Sequence, residues 1–226
     1  MTLEAGRGVS KEQIYRRSGA MDALQALGET VAHDARFVGI YLVGFNLLWV
    51  ICSLPIITLP PATAALYVVT QRLAKRQHAG VRDFFAAMRR YFVVAWRWAL
   101  LNMLVLLLVS ANVWFYSVLD QTWSGLAMAA WLGLGVAWLV VDMYCFPLLL
   151  EQTQPRVSQA LRNALVLCLR HPGFTLVYAC VTALLIAVSA AVIYLWPLIT
   201  GALLAFLLNH GVSYLLRVER GEESPY

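Results

Sequence analysis

The chain has 226 residues, of which 61% are hydrophobic and 13% charged, with a formal net charge of +5 and a mean hydropathy of +0.70. Soluble domains carry about a quarter of their residues charged, so this composition excludes an ordinary water-soluble globule and makes lipid the expected solvent. The basic excess falls between apolar stretches rather than in a patch interleaved with stacking aromatics, which argues against a nucleic-acid partner.

In chain order, residues 1–36 read as a polar cytoplasmic segment carrying Arg7, Lys11, Arg16, Arg17 and Arg36. No small-residue cleavage pattern closely follows the first apolar run, so a cleaved signal peptide is not expected. Residues 37–217 read as a single transmembrane domain and 218–226 as a short cytoplasmic tail. Crossing the hydrocarbon takes about 20 helical residues. Residues 37–56, 93–116, 125–148 and 173–196 meet that length; 198–216 just reaches it, and 60–72 is short.

Lys and Arg collect in cytoplasmic loops. Basic residues stand before Phe37, between Arg72 and Arg90, at Arg156, Arg162 and Arg170, and at Arg217 and Arg220. Only a crossing by residues 60–72 puts all of these on one side. Trp114, Phe115, Tyr116, Trp123, Tyr194 and Trp196 then form aromatic belts at the opposite ends. The expected fold is an all-α polytopic bundle with six crossings and both termini cytoplasmic. Five crossings, with 60–72 re-entrant or on the surface, is the alternative.

The first apolar run contains Phe45, Asn46, Leu47, Leu48 and Trp49, followed by Leu54, Pro55 and Thr58, then Pro61, Ala62, Thr63, Ala65, Leu66 and Tyr67, and later Arg82, Asp83, Phe84 and Phe85. This pattern resembles the YesL family: an N-L-L-W helix, L-P-x-x-T, a G-P-A-T-x-A-L-Y turn and helix, and an R-D-F-F segment. Pro60 stands where the family commonly has glycine, which fixes φ in place of a flexible turn. The resemblance covers the first half of the chain. It implies a small bacterial inner-membrane protein of unassigned biochemistry, associated with carbohydrate uptake transporters.

Two segments between the apolar runs are expected to form amphipathic cytoplasmic helices. In the first, Phe84, Met88, Tyr91 and Phe92 recur at helical spacing opposite Arg82, Arg89 and Arg90. In the second, Leu161, Leu165 and Cys168 are expected on the apolar side, with Arg162 and Asn163 facing away and Arg170 at the end. These bases would meet anionic headgroups or a partner such as transporter subunits. Offsetting the chain by 80 residues aligns Arg82 with Arg162, Asp83 with Asn163, Arg90 with Arg170, Trp98 with Tyr178 and Ala99 with Ala179, which suggests a duplicated unit in parallel orientation.

Within the apolar runs, Arg97, Asp142, Asn209 and His210 fall at similar depth and form a candidate intramembrane polar layer. An Arg97–Asp142 ion pair, a polar site with His210 exchanging protons, and a snorkelling Arg97 are the readings open to it. Small residues recur every fourth position at Gly125, Ala129, Gly133 and Ala137, and at Ala179, Ala183, Ala187 and Ala191. These are expected helix-packing stripes, within one chain or in a homo-oligomer. Cys52, Cys145, Cys168 and Cys180 are widely spaced, indicating neither a zinc site nor a disulfide framework. No catalytic residue, cofactor or metal ligand set is expected, so the chain reads as an auxiliary or permease-like component beside a transport system. The alternative is a non-transporting assembly factor; a membrane enzyme is the weakest reading.

Overall fold

The computed structural model describes residues 35–119, 121–192 and 196–220. Among these residues there are eight α-helices and no strand. They are α1 (Ala35–Ser53), α2 (Leu59–Ala74), α3 (Val81–Arg90), α4 (Phe92–Val118), α5 (Ser124–Leu150), α6 (Val157–Arg170), α7 (Pro172–Ala191) and α8 (Gly201–Arg220). Four segments are long and apolar enough to cross a membrane: Phe92–Val118, Ser124–Leu150, Pro172–Ala191 and Pro197–Arg220. The last exceeds its expected length chiefly because α8 continues past residue 216 to Arg220, and a π-helical turn, Trp196–Thr200, feeds directly into its start.

Residues 37–56 do not form one continuous helix. Leu54 precedes Pro55, whose ring disfavours the α conformation of the residue before it, and α1 ends at Ser53. A 3₁₀ turn, Ile56–Thr58, follows. The Thr58 hydroxyl donates to the Cys52 and Pro55 carbonyls and closes the corner. Pro60 and Pro61 then fall in the first turn of α2, where their missing N–H groups cost the helix nothing.

Helix α2 has 16 residues and is the most enclosed element of the fold's first half, with Pro60, Pro61, Ala62, Ala64, Ala65, Leu66, Val69 and Thr70 buried. It packs against α1, α3, α4, α5 and α8. Alanines on several sides let these neighbours approach closely. Contacts give the directions. Ala62, Ala65 and Leu66 meet Ala202, Ala205 and Phe206, while Asn209 reaches Thr70, so α2 and α8 run parallel. Tyr67 stacks on Phe146 and Lys75 pairs with Glu151 at 2.6 Å, so α5 runs the same way. The ends carrying Arg72, Lys75, Arg217 and Arg220 therefore point in one direction, called here the basic end.

The two connecting helices fold back on the long helices before them. Phe84 and Ala87 of α3 pack on α2, and Arg72 pairs with Asp83 at 2.6 Å. The buried face of α6 overlaps the expected one, with Leu161 and Cys168 half-buried and Arg162 and Asn163 exposed, but it is centred on other residues. Its buried residues are Ala160, Ala164 and Leu167, while Leu165 is exposed. The alanines allow backbone approach to α5, where Ala160 meets Cys145 and Leu149, and further along Cys168 Sγ lies 4.0 Å from the Val140 carbonyl. Close packing here outweighs side-chain size in choosing the buried face.

The 80-residue offset recurs in the burial pattern. Ala64, Ala65, Leu66 and Val69 of α2 are buried, as are Tyr144, Cys145, Phe146 and Leu149 of α5. Phe84 and Ala87 of α3 correspond to buried Ala164 and Leu167 of α6, and Ala95 of α4 to buried Thr175 of α7. A helix, a shorter helix folded back on it and a long apolar helix thus occur twice in one register.

Candidate intramembrane polar site

Helix α4 places Trp98 and Asn102 one turn apart on one face, and α5 does the same with Trp138 and Asp142. The four side chains interlock. Trp98 Nε1 donates to Asp142 Oδ1 at 2.8 Å, and Asn102 Nδ2 donates to the same oxygen at 3.1 Å. Trp138 Nε1 donates to Asn102 Oδ1 at 2.9 Å, which fixes the amide with its NH₂ toward the carboxylate. Counting from Phe92 and Leu150, the cluster lies about 9 to 18 Å from the basic end of these helices.

Asp142 is thus held by neutral donors rather than by Arg97. Arg97 stands about 100° around α4 from Trp98, and its side chain is on the exposed face. An ionised carboxylate at this depth is costly without compensation. Two N–H groups on one oxygen supply part of it, since bonds to a charged acceptor are roughly twice as strong as neutral ones.

The other expected members of the layer occupy separate contacts. Asn209, 1% exposed, donates to the Tyr67 carbonyl at 2.9 Å and to Thr70 Oγ1 at 3.0 Å, joining α8 to α2. The half-buried His210 stacks near Phe206, ring centroids 6.5 Å apart. Sequence reasoning therefore found Asp142 and missed its partners. The available signal was the Trp98–Asn102 and Trp138–Asp142 spacing, two polar pairs each one helical turn apart inside apolar runs.

The bases of the folded-back helices remain outside. Arg82, Arg89, Arg90, Arg162 and Arg170 are all exposed. Arg90 lies over the Tyr91 ring at 5.7 Å, and Arg170 contacts Glu219 at 3.2 Å. The small-residue stripes do not pack on each other. Gly125, Ala129, Gly133 and Ala137 are exposed, as are Ala183, Ala187 and Ala191, with Ala179 half-buried. The glycine used between α4 and α5 is Gly135, where an added Cβ would lie 3.1 Å from Val109 Cγ1.

The signature residues of the first hairpin act as pins. Asn46, fully buried, donates from Nδ2 to the Pro197 carbonyl at 2.8 Å and accepts the Ala202 N–H at 2.8 Å, so α1 caps the start of α8. Trp49 Nε1 donates to Thr63 Oγ1 at 3.1 Å across the α1–α2 corner. Tyr67 supplies the carbonyl that Asn209 uses.

Residues 42–113 match the family described as a protein of unknown function, DUF624, the name by which the YesL-like family is known. The matched region runs from α1 through most of α4 and includes Asn46, Trp49, Thr63, Tyr67, Trp98 and Asn102. No curated protein and no solved structure matches the chain.

Proposed function

We propose that this chain is an auxiliary or permease-like component of the bacterial cytoplasmic membrane that works with a transport system, of which carbohydrate uptake is the kind implied by the family resemblance. The observation that carries this reading is the Trp98–Asp142–Asn102–Trp138 cluster, an acid kept among neutral donors within a helical hairpin long enough to span a bilayer. Such a group is costly in lipid and marks solute, proton or partner contact more often than packing alone. In this reading the chain crosses six times, α1 and α2 forming a short first hairpin whose direction matches the other two. The basic end lies in the cytoplasm with both termini.

The second reading, an assembly factor that passes no solute, draws on the exposed Gly125, Ala129, Gly133 and Ala137 stripe, a surface on which another membrane helix approaches closely. Two measurements separate the readings. The first is purification from native membranes in mild detergent, with mass spectrometry of what is retained. The second applies a water-soluble thiol reagent to Arg97→Cys and Asp142→Cys in a background lacking the native cysteines. Transport subunits in the retained set, or reagent access at position 142, support the transport role. A protein retained with non-transport membrane proteins and sealed at position 142 is an assembly factor.

A further inference from the structure

The two folded-back helices are copies in position as well as in register. Helix α3 ends at Arg90 and α4 begins at Phe92; α6 ends at Arg170 and α7 begins at Pro172. One residue joins each short helix to a long apolar one, Tyr91 in the first case and His171 in the second. The outer face of each short helix is therefore continuous with the exposed apolar side of the long helix it adjoins.

Those outer faces share a pattern. On α3, exposed Val81 and Phe85 stand among exposed Arg82, Arg89 and Arg90, and the apolar surface continues through Phe92 and Val93. On α6, exposed Leu165, Val166 and Leu169 lie between Arg162 and Arg170, continuing to Leu176. Phe85 and Leu165 occupy equivalent positions at the 80-residue offset and are 47% and 49% exposed, so each copy turns an apolar side chain outward where a water-facing helix would carry a polar one. The acidic groups beside these faces are already engaged: Asp83 with Arg72, and Glu219 with Arg170 and His171.

We infer that α3 and α6 are a pair of in-plane anchors, their apolar outer residues set among acyl chains and Arg82, Arg89, Arg90 and Arg162 bound to the phosphates of anionic phospholipids. Continuity with the long apolar helices favours lipid over a soluble partner, because a protein docked there would have to displace the bilayer along the same surface. Arginine suits the phosphate because its planar fork donates two parallel bonds. Arg170 contributes less, being shared with Glu219. Neither face depends on the transport reading, since the anchors would serve an assembly factor equally.

Native mass spectrometry of the full-length protein in detergent, titrated with phosphatidylglycerol or phosphatidylcholine, tests this. Retention of phosphatidylglycerol should exceed that of phosphatidylcholine and fall as salt rises. Neutralising a base near an anionic surface weakens binding about fivefold, so Arg162→Gln should cost roughly that, and the triple Arg82→Gln, Arg89→Gln, Arg90→Gln variant more. Arg→Lys replacements at the same positions keep the charge but lose the fork, so they should bind phosphatidylglycerol better than the glutamine variants and less well than wild type, and they control for folding. If the glutamine variants do not fold, the salt and headgroup dependence of the wild-type protein decides alone. Equal retention of the two lipids overturns the inference, as does phosphatidylglycerol binding unchanged in folded glutamine variants. Unchanged lipid binding with loss of a co-purifying protein overturns it in favour of protein docking.

Discussion

Asn46 joins two helices whose bonded groups stand 151 and 156 residues away, and it does so with both ends of one amide. Replacing it by leucine removes both bonds and takes the side-chain acceptor from the buried Ala202 N–H, at about 1–3 kcal/mol for an orphaned group. Thermal unfolding in detergent should therefore show Asn46→Leu as strongly destabilised, and a midpoint within a degree of wild type would refute the pin. Gly211 makes a second test. A Cβ there would run into the Tyr178 ring, so Gly211→Ala should cost about 1–3 kcal/mol by overpacking. Combining it with Tyr178→Leu should give less than the sum of the two single losses, because the clash is absent from the double variant. The sequence showed that Asn46 and Tyr67 belong to a signature without showing what they hold. Their partners lie on α8 and the π-helical turn before it, and nothing local in either segment encodes a contact across that separation.

At the scale of helices, the α4–α5 hairpin depends on its polar cluster. Apart from Ala95 and Val109, no residue of α4 is buried. Asp142→Asn keeps an oxygen to accept from Trp98 and Asn102, whereas Asp142→Leu leaves both donors facing a hydrocarbon side chain. The asparagine variant should retain folded yield and the leucine variant should lose it. Equal yields would mean that the carboxylate does not hold the hairpin. The α2–α3 contact answers to pH. The Gly80 amide and the Arg72 guanidinium hold the Asp83 carboxyl below the ordinary aspartate range. Its contribution is therefore complete above the unfolded-state value and lost as pH falls through the lowered folded one. Amide exchange in α3, corrected for intrinsic rates, should accelerate only in that acidic window, and Asp83→Asn should abolish the extra acceleration. Helix positions were legible from apolar runs and punctuation. The centre of the buried face of α6 was not, because alanine scores as weakly apolar while permitting the closest approach; of the expected apolar side, Leu161 and Cys168 flank that centre and Leu165 is exposed.

Across the molecule, α2, α5 and α8 point their basic ends one way, and Lys75 and Gln71 both reach Glu151 to tie the first helical hairpin to the second. In the six-crossing reading, cysteines placed at Ser10 and at Gly80 should both resist a membrane-impermeant maleimide applied to intact cells. Labelling of Gly80→Cys from outside would remove α2 from the set of crossings. Run lengths anticipated the four helices long enough to cross a membrane, and charge bias the common direction of the basic ends of α2, α5 and α8, whereas the enclosure of α2 was not legible, since a 16-residue helix reads alike whether it faces lipid or protein. The single-residue joints at Tyr91 and His171 have a mechanical consequence. Each short helix is packed on the helix before it and tied by one residue to the helix after it, so a displacement of α3 or α6 would be shared between α2 and α5 through packing and α4 and α7 through the chain. With α3 and α6 anchored in the bilayer surface as inferred above, tension or thinning of that surface would reach both halves of the bundle through these short helices.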